Sequence, residues 1–286
     1  MARSRSVVAI QECPVLQPAI VDALPRLRAL LAIAMPRNSA AVVHVTCASH
    51  GLDVSIEDSG AEMTAKRRAL LGSWITETPG VLRLSIDGEQ IALRSQPEIA
   101  FPGHSVSLPA RSFLQASAEA EAHMVQLARE AVVGLKSNAR IADFFAGLGA
   151  FSLALAARHE VLAVEWDREA VAALTKAARQ PGLRKLEVLR RDLAREPLSV
   201  RELEPFGAVL FDPPRAGAEA QAAMLAASTV GIVIAVSCNP ATFARDARIL
   251  VDGGYTMGSL APIDQFLFSP HVELVAVFKK AKSRRR

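Results

Sequence analysis

The chain has 286 residues, with 33 Lys or Arg against 29 Asp or Glu, 51% apolar residues and a mean hydropathy of +0.23. That composition excludes a mainly disordered chain, and since 51 of the residues are alanine, the apolar fraction does not by itself argue for a membrane protein. The three cysteines, Cys13, Cys47 and Cys238, include no close pair and exclude a disulfide framework or a self-contained cysteine-rich metal site.

The net charge of +4 and the isoelectric point near 9.2 invite a nucleic-acid reading. Arg3, Arg5, Lys279, Lys280, Lys282, Arg284, Arg285 and Arg286 account for eight of the 33 basic residues, however, so the body of the chain is slightly acidic and the basic character sits at the ends. The first residues are basic but lack an apolar signal-peptide core, which gives a cytoplasmic location as the expectation. A 17-residue uncharged stretch from Ala222 to Cys238 is interrupted by Ser228, Thr229 and Gly231, and reads as a helix, a turn and a buried strand rather than a membrane span.

In chain order, residues 1–100 read as a small α+β domain. A helix is predicted over Leu16 to Met35, strands over Ala41 to Ser49 and Leu52 to Glu57, a helix over Ala61 to Trp74, and a hairpin of Val81 to Ile86 with Gln90 to Ser95 across Asp87-Gly88. Residues 101–118 form a connector within the Pro/Gly/Ser-bearing stretch from Gln96 to Arg111 and beyond, and Glu119 to Leu135 shows one apolar helix face. From Arg140 short apolar strands alternate with helices. The strands are Ile141 to Phe145, Val161 to Trp166, Leu186 to Leu189, Ala208 to Phe211 and Gly231 to Ser237. The helices lie near Phe151 to Arg158, Arg168 to Arg179, Val200 to Leu203, Ala218 to Ser228 and Ala241 to Val251. This alternation predicts a doubly wound, Rossmann-like α/β sheet over 119–280, with ligands at the carboxyl ends of its strands. Tyr255 to Leu260 and Val272 to Lys279 follow one another without a helix, so the last strand is expected to run antiparallel; residues 281–286 form a basic tail.

Five motifs fall at strand ends. Asp143-Phe-Phe-Ala-Gly147-Leu-Gly149-Ala-Phe151 follows a strand and opens a helix, where glycines admit a ligand close to the backbone. A dinucleotide fingerprint would place a third glycine at Ser152, so a smaller adenosyl ligand fits better than a pyrophosphate. Glu165 ends the next strand, a position from which a carboxylate accepts ribose hydroxyls. In Leu210-Phe211-Asp212-Pro213-Pro214-Arg215 two prolines stiffen the exit and hold Asp212 at the ligand edge, while Arg215 either meets phosphate or braces the loop. Cys238, in Ser237-Cys-Asn-Pro, lies at the same edge beside a helix start that would favour a thiolate. His271 and Glu273 share one face if they lie on a strand, and either could move a proton.

Together these segments resemble the S-adenosylmethionine-dependent RNA uridine-5 methyltransferases that modify bacterial tRNA and 23S rRNA. The most specific pieces are Asp212-Pro-Pro-Arg-Ala-Gly, Ser237-Cys-Asn-Pro-Ala-Thr and His271-Val-Glu, and Phe113-Leu-Gln115 also matches. The resemblance implies a Rossmann-like methyltransferase domain, an RNA substrate, rRNA ahead of tRNA, and S-adenosyl-L-methionine as cofactor. It implies Cys238 as nucleophile toward uracil C6 and Glu273 as the base that removes the C5 proton. Gln115, Phe145, Gly147, Gly149, Glu165, Asp192 and Asp212 are implied as cofactor contacts. The chain departs from the family at Ala150 and Ser117, where asparagine is usual. Cys13 resembles the last of four iron–sulfur ligands whose three partners are missing, and the N-terminal RNA-gripping barrel is missing too. The expectation is therefore either a naturally short member or one whose N-terminal part has been lost, monomeric, with an RNA-facing small domain, no iron–sulfur cluster, no metal and no membrane partner. Methylation of another base or of a small molecule, and a weakly active RNA-binding relative, are the alternatives.

Overall fold

In a computed structural model of the chain, residues 9–136 and 138–280 are described. Arg3, Arg5 and the basic tail over 281–286 lie outside the described residues. The chain divides into two units, one comprising Met1–Ile99 with Ser107–Arg111, the other Ala100–Val106 with Ser112–Arg286.

The first unit packs two helices on a four-stranded sheet. Helix α1 (Pro18–Ala34) begins with proline at its first position, where no N–H partner is lost, and buries Leu27, Leu30 and Ala34. Strands β1 (Val42–Ala48) and β2 (Gly51–Glu57) pair antiparallel. Helix α2 (Ala65–Glu77) then crosses over to β3 (Val81–Ile86), which runs parallel to β2, and β4 (Glu89–Leu93) closes the sheet in the order β1-β2-β3-β4. The sequence places the start of α2 at Ala61; the helix begins later because Thr64 caps it, its side chain accepting from the N–H of Arg67 at 3.2 Å. Asp53 and Arg83 sit opposite each other in the β2–β3 register and form a bidentate ion pair at 2.8 and 2.5 Å, both almost wholly buried. The stretch expected as a plain connector holds a short hairpin, β5 (Glu98–Phe101) and β6 (His104–Ser107).

The second unit is a seven-stranded sheet flanked by helices. Helix α3 (Ala118–Ala131), capped by Ser117, precedes β7 (Arg140–Phe144), α4 (Ala150–Ala156), β8 (Glu160–Glu165), α5 (Arg168–Ala177) and β9 (Leu186–Arg190). Then come α6 (Val200–Leu203), β10 (Phe206–Phe211), α7 (Glu219–Ala227), β11 (Ile232–Ser237), α8 (Pro240–Asp252), β12 (Tyr255–Ile263) and β13 (Glu273–Lys280). The sheet order is β12-β13-β11-β10-β7-β8-β9; β7 to β11 run parallel, and β13 is antiparallel to both β11 and β12. The uncharged stretch from Ala222 to Cys238 resolves into the end of α7 and β11, and no helix among the described residues is long and apolar enough to cross a membrane.

Phe144 of β7, Phe211 of β10 and Phe278 of β13 are almost wholly buried in one core with Leu225, Val233 and Leu250. The winding reverses between β7 and β10. Chain segments leaving their carboxyl ends therefore diverge and open a crevice, the place where ligands bind in sheets of this type.

Candidate functional site

The glycine loop leaves β7 through three left-handed residues, Phe145 (φ 61°), Gly147 (φ 54°) and Gly149 (φ 90°). Phe145 is held in this strained conformation by its neighbours: the N–H of Ala146 donates to Val164 O at 3.1 Å, and that of Gly149 to Ala146 O at 2.8 Å. A Cβ at Gly147 would meet open space, so φ alone demands glycine there. A Cβ at Gly149 would lie 2.3 Å from Leu174 Cδ1. Ser152, at the position where a dinucleotide fingerprint would have glycine, is wholly buried and donates to Asp143 Oδ2 at 2.5 Å. Burial, with the Glu165 charge nearby, pushes the Asp143 carboxyl up to about 7 against the opposing bond from Ser152.

Glu165 is tied to the backbone. Its Oε2 accepts from Gly147 N–H at 2.8 Å, and its Oε1 from Trp166 and Asp167 N–H at 2.7 and 2.8 Å. It thus shapes the loop, and its remaining acceptor capacity is concentrated on Oε2. Asp192, past the end of β9, accepts from Ala194 N–H at 3.0 Å and lies 3.5 Å from Arg195 Nε, both local partners.

Across the crevice, the N–H of Asp212 still donates to Phe144 O at 3.2 Å, so the aspartate leaves the sheet fixed to β7. Its Oδ2 accepts from Gln115 Nε2 at 3.0 Å. Burial, reinforced by the Glu273 and Asp143 carboxylates, raises the Asp212 carboxyl to about 8. Gln115 Oε1 in turn accepts from Gln265 Nε2 at 2.8 Å, and the same nitrogen donates to Glu273 Oε1 at 3.1 Å. Glu273 opens β13 and is 3% exposed; its Oε2 has no protein donor. Burial pushes its carboxyl up, and the bond from Gln265 opposes this.

Cys238 sits between the end of β11 and Asn239, the cap of α8. The helix start beside it argues for a thiolate, but the balance goes the other way: burial first, then the Glu273 and Asp212 carboxylates raise the thiol, and only Arg215 and the residue's own N–H oppose them. Arg215 braces its loop through its carbonyl, which accepts from Asn239 Nδ2 at 3.0 Å and Thr242 Oγ1 at 3.3 Å, while its guanidinium reaches His271 Nδ1 at 3.3 Å. His271 lies outside β13 and is exposed, so it does not share a strand face with buried Glu273 as the spacing suggests. Ser117 caps α3, accepting from Ala120 N–H at 3.2 Å.

Cys238, Glu273, Asp212 and Gln115 thus gather around β10, β11 and β13, and Phe145, Gly147, Gly149 and Glu165 around β7 and β8. Asp143, Ser152 and Gln265 belong to the same edge but carry no role in the sequence reading. Asp143 could have been found as an acid ending a strand directly before a glycine loop. Gln265 lies in a segment without periodicity, and no local signal marks it.

A doubly wound sheet with a glycine loop after its first strand, an acid after its second and Asp212 across the switch point has the architecture of a Rossmann-like methyltransferase. The profile of the tRNA (uracil-5-)-methyltransferase family matches residues 104–281, and the chain belongs to that family of S-adenosylmethionine-dependent RNA methyltransferases. It is 46% identical over 285 residues to an uncharacterized RNA methyltransferase of Mesorhizobium japonicum, covering 99% of this chain and 68% of that protein. It is 33% identical over 294 residues to the 23S rRNA (uracil(1939)-C(5))-methyltransferase RlmD of Acinetobacter baumannii, covering 97% of this chain and 62% of the relative. The fold matches the crystal structure of Pyrococcus abyssi tRNA (uracil-54, C5)-methyltransferase with S-adenosyl-L-homocysteine at a TM-score of 0.73 and 22% identity, over 96% of this chain and 70% of that one. The chain therefore spans about two thirds of the length of these relatives.

The residues present fit the family's cofactor. Asp143 Oδ1 and Glu273 Oε2 are buried acceptors without protein donors, close to the half-buried Asp212 carboxyl, whose titration both influence. An acceptor-rich, donor-poor strand edge suits a ligand carrying a sulfonium and an ammonium group.

Proposed function

We propose that this chain methylates C5 of uracil in RNA, with 23S rRNA favoured over tRNA, through a covalent bond from Cys238 to uracil C6. The observation that carries the reading is the gathering of Cys238, Glu273 and Asp212 in one site, where both carboxylates act on the thiol and a glutamine pair joins them. The RlmD relative, a 23S rRNA enzyme by name, supports ribosomal RNA as the substrate class.

Uracil C5 is a poor nucleophile. Addition of the Cys238 thiolate to C6 makes the ring enolate-like and C5 nucleophilic. When bound, S-adenosylmethionine supplies the electrophilic methyl group that C5 receives. Gln115, Phe145, Gly147, Gly149, Glu165, Asp192 and Asp212 are the residues assigned to hold it. Glu273 Oε2, free of other donors, takes the C5 proton; the C5–H electron pair forms the C5–C6 double bond, and the C6–S bond breaks to return the thiolate.

Because the thiol is held up, Arg215 at the mouth of the site is its cationic support among the described residues, and an RNA-bound uracil must meet a thiolate formed as a minority species near neutrality. The test is trapping. RNA carrying 5-fluorouridine, which has no C5 proton to lose, should form an SDS-stable adduct with the wild type and none with Cys238→Ala. An adduct that persists in Cys238→Ala would refute the assignment.

A further inference from the structure

Gln265 stands where the two halves of the site meet. Its side-chain nitrogen donates to Gln115 Oε1 at 2.8 Å and to Glu273 Oε1 at 3.1 Å, and the residue is 8% exposed. Both neighbours offer oxygen, so the orientation of the amide is determined, and Gln265 Oε1 is the end left without a donor. Gln115 continues the chain to Asp212 Oδ2 at 3.0 Å. One neutral amide therefore links the carboxylate assigned as base to the glutamine and aspartate at the cofactor edge, and both of these bonds go to side chains.

We propose that Gln265 is a positioning residue for the proton-removal step: its N–H grips one oxygen of Glu273 and leaves the other oxygen free for the C5 proton. This rests on the roles of Cys238 and Glu273 given above. The groups around Glu273 explain why a donor is needed. Asp212 after β10, itself next to Asp143 of β7 and Glu121 of α3, and the Cys238 thiol after β11 are acidic. Gln115 offers Gln265 only an oxygen, and the cation of this edge, Arg215, acts on Cys238. Burial favours the neutral acid, and the Gln265 bond is the interaction that counters it. A lysine or arginine in its place would hold the carboxylate ionised but would weaken it as a base and repel a sulfonium; a neutral amide orients without either cost.

In the step concerned, the C5 proton passes to Glu273 Oε2 and then to water, the C5–H pair becomes the C5–C6 double bond, and sulfur leaves with the C6–S pair. Without Gln265 this step slows while addition and methyl transfer persist. The test uses the full chain as Gln265→Leu and Gln265→Glu, the latter keeping the shape but losing the donor, with ordinary uridine RNA and methyl-labelled cofactor in single turnover. Both variants should accumulate an SDS-stable, methyl-labelled protein–RNA adduct whose decay at pH 7 is about tenfold slower than in the wild type, the scale of one lost hydrogen bond to a charged group. Raising the pH should restore part of that rate by returning Glu273 to its carboxylate form. Trapping of 5-fluorouridine RNA, which needs no proton removal, should stay near the wild-type level in both variants.

Wild-type decay rates in the variants, a slowing that ignores pH, or loss of fluorouridine trapping in both would overturn the proposal, the last two by making Gln265 merely structural. Failure of the wild type itself to trap fluorouridine RNA would instead refute the Cys238 reading, and this proposal with it.

Discussion

Replacing Asp143 with asparagine keeps the side chain's shape and its acceptor for Ser152 while removing an acid that the fold buries completely. The folded carboxyl titrates at about 7 rather than at the ordinary 3.8, so folding favours its protonated form. The sign follows from linkage: below pH 3.8 folded and unfolded states are both protonated and no penalty exists, and the penalty grows until it is complete above about pH 7. At about 1.4 kcal/mol per pH unit this interval amounts to about 4 kcal/mol, a ceiling that any water reaching Oδ1 reduces. The Asp143→Asn variant should therefore match the wild type near pH 4 and become progressively more stable than it up to about pH 8. Urea unfolding followed by circular dichroism across that range measures the difference; carboxylates remote from Asp143 cancel, while Asp212, which the Asp143 charge raises, is relieved in the variant and adds to the gain. Stability curves that stay parallel with pH would refute the reasoning.

Three further outcomes are expected. Arg83→Met should destabilise the first unit by about 3–5 kcal/mol because it leaves Asp53 charged and buried, whereas the Asp53→Leu/Arg83→Met double variant should return close to wild type; equal losses in urea melts would contradict this. Gly149→Ala should cost about 1–3 kcal/mol through its φ of 90° and press on Leu174, and should weaken S-adenosylmethionine binding by calorimetry; unchanged affinity and melting would contradict it. Arg215→Gln removes the charge that opposes the rise of the Cys238 thiol. The rate of fluorouridine adduct formation, which rises with pH as the thiolate forms, should shift to higher pH in the variant; an unmoved profile would show that Arg215 serves only its loop.

The parallel strands and the helices of the second unit were legible because their apolar runs and 3.6-residue stripes are strong, and the absence of a helix between β12 and β13 marked the antiparallel end. The hairpin at Glu98–Phe101 and His104–Ser107 was not, since four-residue strands around Pro102-Gly103 look like any loop. The start of α2 was misplaced because Ala61, Glu62 and Met63 are all good helix formers, and only the Thr64 cap marks the boundary. In the site, residues at strand ends could be named because topology alone brings them together. What spacing could not give was side-chain pairing. Glu165 spends most of its acceptors on backbone N–H groups, His271 turns to Arg215, and Gln265 enters from a loop to join Gln115 and Glu273. The environment of Cys238 was likewise invisible, because the two carboxylates that raise its thiol lie 26 positions before and 35 after it in the chain.

The most direct test of the account is the position of the transferred methyl group. RNA from cells lacking the modification, incubated with this chain and methyl-labelled S-adenosylmethionine, digested to nucleosides and resolved by mass spectrometry, should carry the label at C5 of uridine, more in 23S rRNA than in tRNA, and Cys238→Ala should leave that signal at background. A label on another base, or one that survives the loss of Cys238, would contradict the account.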